Sequence, residues 1–174
     1  MSDLLYFEAP NQDGSLYQVG DWKRYAVHNE TQIKGFFGKY RFLSNFYPCE
    51  VWFEGIKYKS TETAYQSAKI LPHARQSFVH MSDTDSKNAW KQFSLKDRTP
   101  NWENIKYDIM REVIFQKFLR NKELRNKLIS TRNKYLEELN HWHDEYYGVC
   151  IHTNTGENNL GIILMNTRNY FDKS

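Results

Sequence analysis

The sequence predicts an α+β fold, mainly helical, with a small β-sheet. Three observations lead there. Aromatic and β-branched residues alternate with turn signals between Gly35 and Tyr58, helix-start signals and four-residue apolar spacings dominate from Ser60 onward, and no repeat or low-complexity segment interrupts the chain. A chain of 174 residues with 40% apolar content is long enough to bury a sizeable core.

Residues 1–32 read as an arm or extension, with a turn-prone stretch at Asn11-Gln12-Asp13-Gly14-Ser15, and residues 33–174 as the main domain. From Gly35 to Tyr58, two or three short strands are expected. One pair is Val51-Trp52-Phe53 and Ile56-Lys57-Tyr58, joined by a turn at Glu54-Gly55.

Ser60 and Thr61 offer N-cap oxygens ahead of a run of helix formers that begins at Glu62, and Pro72 is expected to end that helix. A second helix is predicted over Asp85–Phe93. A longer one follows Pro100, with Ile105, Ile109 and Val113 in one row and Met110, Ile114 and Phe118 in the adjacent row. Two more are predicted: Lys122–Ser130, burying Leu124 and Leu128, and Asn159–Tyr170, with Leu160, Ile163 and Leu164 inward. Strand propensity returns around Tyr146–Ile151.

Composition narrows the function classes. A net charge of +3 is too small for a dedicated nucleic-acid binder, although Lys34, Lys39 and Arg41 form a local basic run without an acid among them. Two distant cysteines and no signal-peptide apolar region point to reduced thiols in a cytoplasmic protein. No apolar run approaches the roughly 20 residues that span a bilayer, so no membrane association is expected. With 12 Tyr, 11 Phe and 5 Trp, some rings are expected to line a cleft or lie on the surface.

Three segments carry candidate chemistry. On the helix opening at Ser60, Glu62, Tyr65, Gln66 and Lys69 fall at i, i+3, i+4 and i+7 and share one face. An exposed helix with an acid near its positive end gives the same residues a purely structural reading. Trp102, at the entrance of the long helix, either packs as a staple or presents a ring to a ligand. Asn140-His141-Trp142-His143-Asp144-Glu145-Tyr146-Tyr147-Gly148 crowds polar and aromatic residues before a glycine, which is poor core material and good cleft material. No metal is expected, because His141, His143 and Asp144 have no accompanying ligand cluster. A serine or cysteine triad is not supported, since neither cysteine has a strand-to-helix elbow around it, and no cofactor is expected, since glycine-rich nucleotide loops are missing.

In order along residues 33–168, these segments resemble the NADAR (YbiA-like) family. Its opening phrase matches Phe37-Gly38-Lys39-Tyr40-Arg41-Phe42-Leu43-Ser44-Asn45-Phe46-Tyr47-Pro48, and its second matches Ser60-Thr61-Glu62-Thr63-Ala64-Tyr65-Gln66-Ser67-Ala68-Lys69, with Thr63 at a customary histidine. Trp102-Glu103-Asn104-Ile105-Lys106 followed by Met110 and Lys117-Phe118 is the third. The fourth is Glu138 through Gly148, with Tyr147 where the family usually has tryptophan, and the last is Asn158-Asn159-Leu160-Gly161 with Leu164-Met165 and Arg168.

The resemblance implies a YbiA-like fold and an N-glycosidase that cleaves a bond between ribose C1′ and a base nitrogen. The implied partners are ADP-ribosyl or ribosyl-phosphate small molecules, including riboflavin-pathway pyrimidine intermediates, and ADP-ribosylated DNA. Glu62, Asp144 and Lys69 are the implied catalytic set. Such hydrolysis passes through an oxocarbenium-like state, so one carboxylate would face the developing cation or activate water and the other would assist the departing base. Lys69 would contact phosphate or act as a Schiff-base amine. Trp102 and Tyr147 would stack on the base, Arg41, Ser44 and Asn45 would hold ribose and phosphates, and Phe46, Tyr65, Gln66, Lys106, Gly148 and Asn159 complete the implied binding set. Two other readings fit the same residues: a module that binds ADP-ribose or an NAD derivative without cleaving it, and a nucleic-acid-associated protein using the Lys34–Arg41 face.

Overall fold

The computed structural model describes Lys23 and residues Tyr25–Lys173, so the expected turn at Asn11–Ser15 lies outside the described residues. The strands are β1 (Val27–His28), β2 (Gln32–Lys34), β3 (Val51–Phe53), β4 (Ile56–Tyr58), β5 (Tyr135–Glu137), β6 (Leu139–Asn140) and β7 (Val149–Cys150). The helices are α1 (Thr61–Ser67), α2 (Asp83–Ala89), α3 (Trp102–Arg120), α4 (Lys122–Ser130) and α5 (Asn159–Asp172). Helix predominates over short strands, as expected of a mainly helical α+β fold. The chain forms two compact units, one from the residues up to Ser44 with Leu128 onward, the other from Asn45–Lys127.

In the first unit, β2 is the middle strand of a three-stranded sheet, antiparallel to β1 and parallel to β5. Ile33 lies opposite Leu136 and both are fully buried; one register position on, Lys34 pairs with Glu137 across the ladder at 3.3 Å. Residues Val27 and His28, inside the stretch read as an extension, supply β1. Helix α5 packs on β5, and Gly161 permits the approach. A Cβ there would stand 2.1 Å from the Leu136 carbonyl oxygen. Asn158, left-handed at φ 52°, precedes α5 and ties its start to the strands: Nδ2 donates to Leu136 O at 2.9 Å, and Oδ1 accepts the Glu138 N–H at 3.1 Å.

In the second unit, β3 and β4 form the expected hairpin. Glu54 and Gly55 both have positive φ, 45° and 79°, as a tight two-residue loop demands. Helix α3 packs against β3 and α1, burying Met110, Ile114 and Phe118 together with Val113. Ile105 and Ile109, expected to continue the Val113 row inward, are only half-buried; they lie in the first turns of α3.

Helix α1 begins as expected. Ser60 Oγ accepts the Thr63 N–H at 3.0 Å and donates to Asp83 Oδ1, while Thr63 Oγ1 donates to the same carboxylate oxygen at 2.9 Å. All seven α1 residues are buried. Its end differs from the expectation: α1 stops at Ser67, and Pro72 opens a 3-10 helix over Pro72–Phe78 instead of closing α1. A proline whose missing N–H falls in a first turn costs no hydrogen bond. Residues Gly38–Leu43, expected among strands, also form a 3-10 helix, and the helix expected over Asp85–Phe93 divides into α2 and a 3-10 turn at Trp90–Gln92.

Candidate active site

Within the second unit, the residues singled out around α1 converge. Glu62 is 4% exposed; its backbone N–H donates to Asn45 O at 3.0 Å, and its Oε1 accepts Gln66 Nε2 at 2.9 Å, one helical turn on. Burial pushes the Glu62 carboxyl above the usual carboxylate range; Lys87, the Gln66 hydrogen bond and Lys69 oppose that rise. The Gln66 amide thus has its nitrogen toward Glu62 and its oxygen away. That oxygen and Asn45 Oδ1 are buried acceptors with no hydrogen-bond partner among the described residues. The Asn45 amide nitrogen contacts Met110 Sδ at 3.4 Å.

Lys69 stands beyond the end of α1, yet its amine stays on the same side. Lys69 Nζ lies 5.4 Å from the Tyr65 ring centroid, 4.9 Å from that of Trp90 and 5.8 Å from that of Trp102. Tyr65 and Trp102 themselves meet with centroids 5.2 Å apart at 57°. Burial brings the Lys69 amine down to about 8; Glu62 resists that fall, and Lys91 and Lys87 reinforce it. Trp102 thus packs against Tyr65 and stands beside the Lys69 amine. It enters α3 behind Asn101, left-handed at φ 54°. Lys106, one turn further, is held by Glu103 at 2.6 Å, and Phe46 lies under Lys87 Nζ at 4.7 Å.

The remaining expected site residues belong to the first unit. Asp144 sits in a turn clamped by Asn140, whose Oδ1 accepts the Asp144 N–H at 3.1 Å and whose Nδ2 donates to Asp144 O at 2.8 Å. Asp144 Oδ1 accepts the backbone N–H groups of Tyr146 and Tyr147 at 3.2 and 2.9 Å. The Tyr147 ring stands edge-on to Tyr146 at 4.8 Å. Gly148 has a packing reason of its own, since a Cβ would lie 2.5 Å from Glu138 O. Asn159 Nδ2 donates to Tyr146 O at 2.9 Å, fixing the same turn to the start of α5. Arg41 lies in the last turn of the 3-10 helix over Gly38–Leu43, and its carbonyl accepts the N–H of the buried Ser44 at 3.1 Å.

Sequence reasoning missed three residues of the second unit's group: Lys87, Trp90 and Lys91. Lys87 and Lys91 are spaced i, i+4, which was a visible signal. Trp90 had none, because the amine it meets, that of Lys69, comes from beyond the end of α1, outside its own element. Among the described residues, no group of three or more His, Cys, Asp or Glu side chains is arranged to hold a metal ion, and no helix is long and apolar enough to cross a membrane.

The NADAR domain model matches residues 29–172. The chain belongs to the NADAR family. Among its NADAR-related neighbours, the riboflavin biosynthesis protein VVA0006 of Vibrio vulnificus is 32% identical over 73% of this chain, although the chain spans only 34% of that longer protein. The N-glycosidase Npun_R5314 of Nostoc punctiforme is 29% identical over 74% of this chain and 84% of its own length. The NMR structure of Escherichia coli YbiA superposes with a TM-score of 0.71 at 27% identity, covering 85% of this chain and 89% of that one. The α+β architecture is therefore that of a YbiA-like NADAR protein.

Proposed function

We propose that this protein hydrolyses the N-glycosidic bond between a ribose C1′ and a base nitrogen in a phosphorylated ribosyl substrate. One observation carries the reading: a buried carboxyl, Glu62, shares its surroundings with a half-buried amine and three aromatic rings. Relatives named N-glycosidases support the bond type.

Glu62, with its proton affinity raised by burial, suits proton delivery to a departing base nitrogen; once ionised, it faces the cationic ribose carbon. Asp144, whose Oδ1 accepts two backbone N–H groups, is the second carboxylate of this reading, supported by its place in the Glu138–Gly148 segment that resembles the family's fourth phrase. The unpartnered acceptors of Asn45 and Gln66 suit hydroxyl donors such as those of a ribose. Lys69, with Lys87 and Lys91 near it, suits a phosphate. Its depressed proton affinity favours a second role, in which the neutral amine condenses with the ring-opened sugar aldehyde.

The substrate class comprises ADP-ribosylated guanine, in nucleotide or DNA, and ribosylated pyrimidine intermediates; the name of the Vibrio relative supports the latter. Cys49 and Cys150 are free thiols, which supports a cytoplasmic location. Incubation with ADP-ribosylated DNA and with ribosylated pyrimidine phosphates, followed by mass spectrometry of the released base, tests the reading. Release from either, abolished in Glu62→Gln, is expected. Tight binding without release from both would replace it with the non-catalytic ADP-ribose module.

A further inference from the structure

We propose that Trp90 is a positioning residue for the Lys69 amine, closing with Tyr65 and Trp102 a three-ring cage that holds the ammonium by its π faces. The inference rests on the reading of Lys69 as part of the active site. It concerns a residue that no family motif above includes.

The geometry is specific. Trp90 directly follows α2, and of the three rings its centroid lies nearest to Lys69 Nζ, at 4.9 Å against 5.4 and 5.8 Å for Tyr65 and Trp102. Arg98 holds the indole as well: its Cζ is 5.2 Å from the Trp90 centroid, with Nε donating to Phe93 O at 3.0 Å and Nη2 to Lys91 O at 2.8 Å. A guanidinium pinned by two carbonyls against one ring fixes that ring. Lysine carries several rotatable bonds, so an amine kept within 6 Å of three centroids has lost freedom that catalysis would otherwise have to remove.

The charged groups around the amine divide in sign. Glu62 on α1 and Glu103 on α3 favour the ammonium, Lys87 on α2 and Lys91 on the following 3-10 turn disfavour it, and Lys106 is held by Glu103. With burial also working against the charge, the rings are the local compensation that requires no second ion.

Cation–π stabilisation and exclusion of water move the amine in opposite directions when the ring is lost, so the test separates them. Titration of 13Cε-lysine by NMR, with Lys69 assigned through Lys69→Arg, reads the amine without needing turnover. In Trp90→Leu, which keeps the wall apolar, the apparent pKa of Lys69 is expected to fall by about half a unit to one and a half units, and Trp90→Phe should restore most of it. Placing progressively fluorinated tryptophan at position 90 keeps the shape and weakens the π face, so a stepwise fall is expected even if Trp90→Leu does not fold. An unchanged or raised titration in the fluorinated series would overturn the cage. Loss of N-glycosidase activity as the reading, by contrast, would show as wild-type protein that releases no base, with the Lys69 titration still responding to Trp90.

Discussion

Gln66 Nε2 donates to Glu62 Oε1 at 2.9 Å inside a helix all of whose residues are buried, so the carboxylate has a fixed donor on its own element and little water. The same bond turns the Gln66 oxygen away as an unpartnered acceptor. One amide thus orients the carboxylate and offers an acceptor to a ligand hydroxyl.

Glu62→Gln is expected to reduce turnover by about 100-fold or more while leaving the fold intact. Because burial raises the folded-state carboxyl above its unfolded value, the stability tied to its proton is present below the unfolded pKa and lost as pH rises through the folded one. The variant should therefore gain in Tm over wild type at neutral pH, and the gap should close near pH 4. Thermal melts across that range check both signs.

An amine brought down to about 8 is about half neutral at pH 8, whereas an ordinary lysine is below about 1% neutral there. A 13Cε-lysine titration should show the Lys69 amine losing its proton near pH 8. The linkage runs opposite to that of Glu62: stability tied to Lys69 is complete above about pH 10.5 and is lost as pH falls through about 8. Lys69→Met should accordingly stabilise the protein more at pH 7 than at pH 10. Turnover rising with an apparent pKa near 8 would select the neutral-amine role, and turnover falling above 8 the phosphate role.

Trp102→Ala removes a ring that meets Tyr65 at 5.2 Å and stands 5.8 Å from Lys69 Nζ. Stacking of this kind is worth about 1–3 kcal/mol, so substrate affinity should fall by roughly 10- to 100-fold. Isothermal titration with Glu62→Gln as background isolates binding from turnover.

Ser60→Ala deletes both the N-cap acceptor of α1 and a donor to Asp83. A loss of about 1–2 kcal/mol is expected in denaturant unfolding. An unchanged midpoint would mean that the Thr63 bond to Asp83 suffices.

Gly161→Ala places a Cβ 2.1 Å from the Leu136 carbonyl oxygen and 2.5 Å from Asn158 Nδ2, so α5 would have to shift away from β5. The helix preference of alanine, about 1 kcal/mol, does not offset a backbone clash of that depth. A net loss of about 2 kcal/mol or more is expected by the same unfolding assay.

Much of this was legible in the residues themselves, because local rules act over a few positions. Ser60 capped α1 as its hydroxyl implied, Lys122–Ser130 formed the helix its apolar spacing predicted, and Glu54-Gly55 turned the hairpin. Where a local rule had two solutions, the outcome depended on packing. Gly38–Leu43 could extend or coil, and Pro72 could close one helix or open the next. The partners of β5 lie in β2, about a hundred positions away, and a three-residue strand carries too little pattern to announce them.

By itself the sequence determined the α+β class, the presence and order of the five α-helices, and the ordered motifs that place the chain in the NADAR family. Tertiary structure alone decided that Glu62 is buried instead of capping an exposed helix, that Trp102 faces Lys69, and that Trp90 joins them. The physical reason is common to all three. Burial, proton affinity and ring–cation contact depend on which elements meet, and α1, α3 and the turn after α2 are brought together by the fold, not by their spacing along the chain.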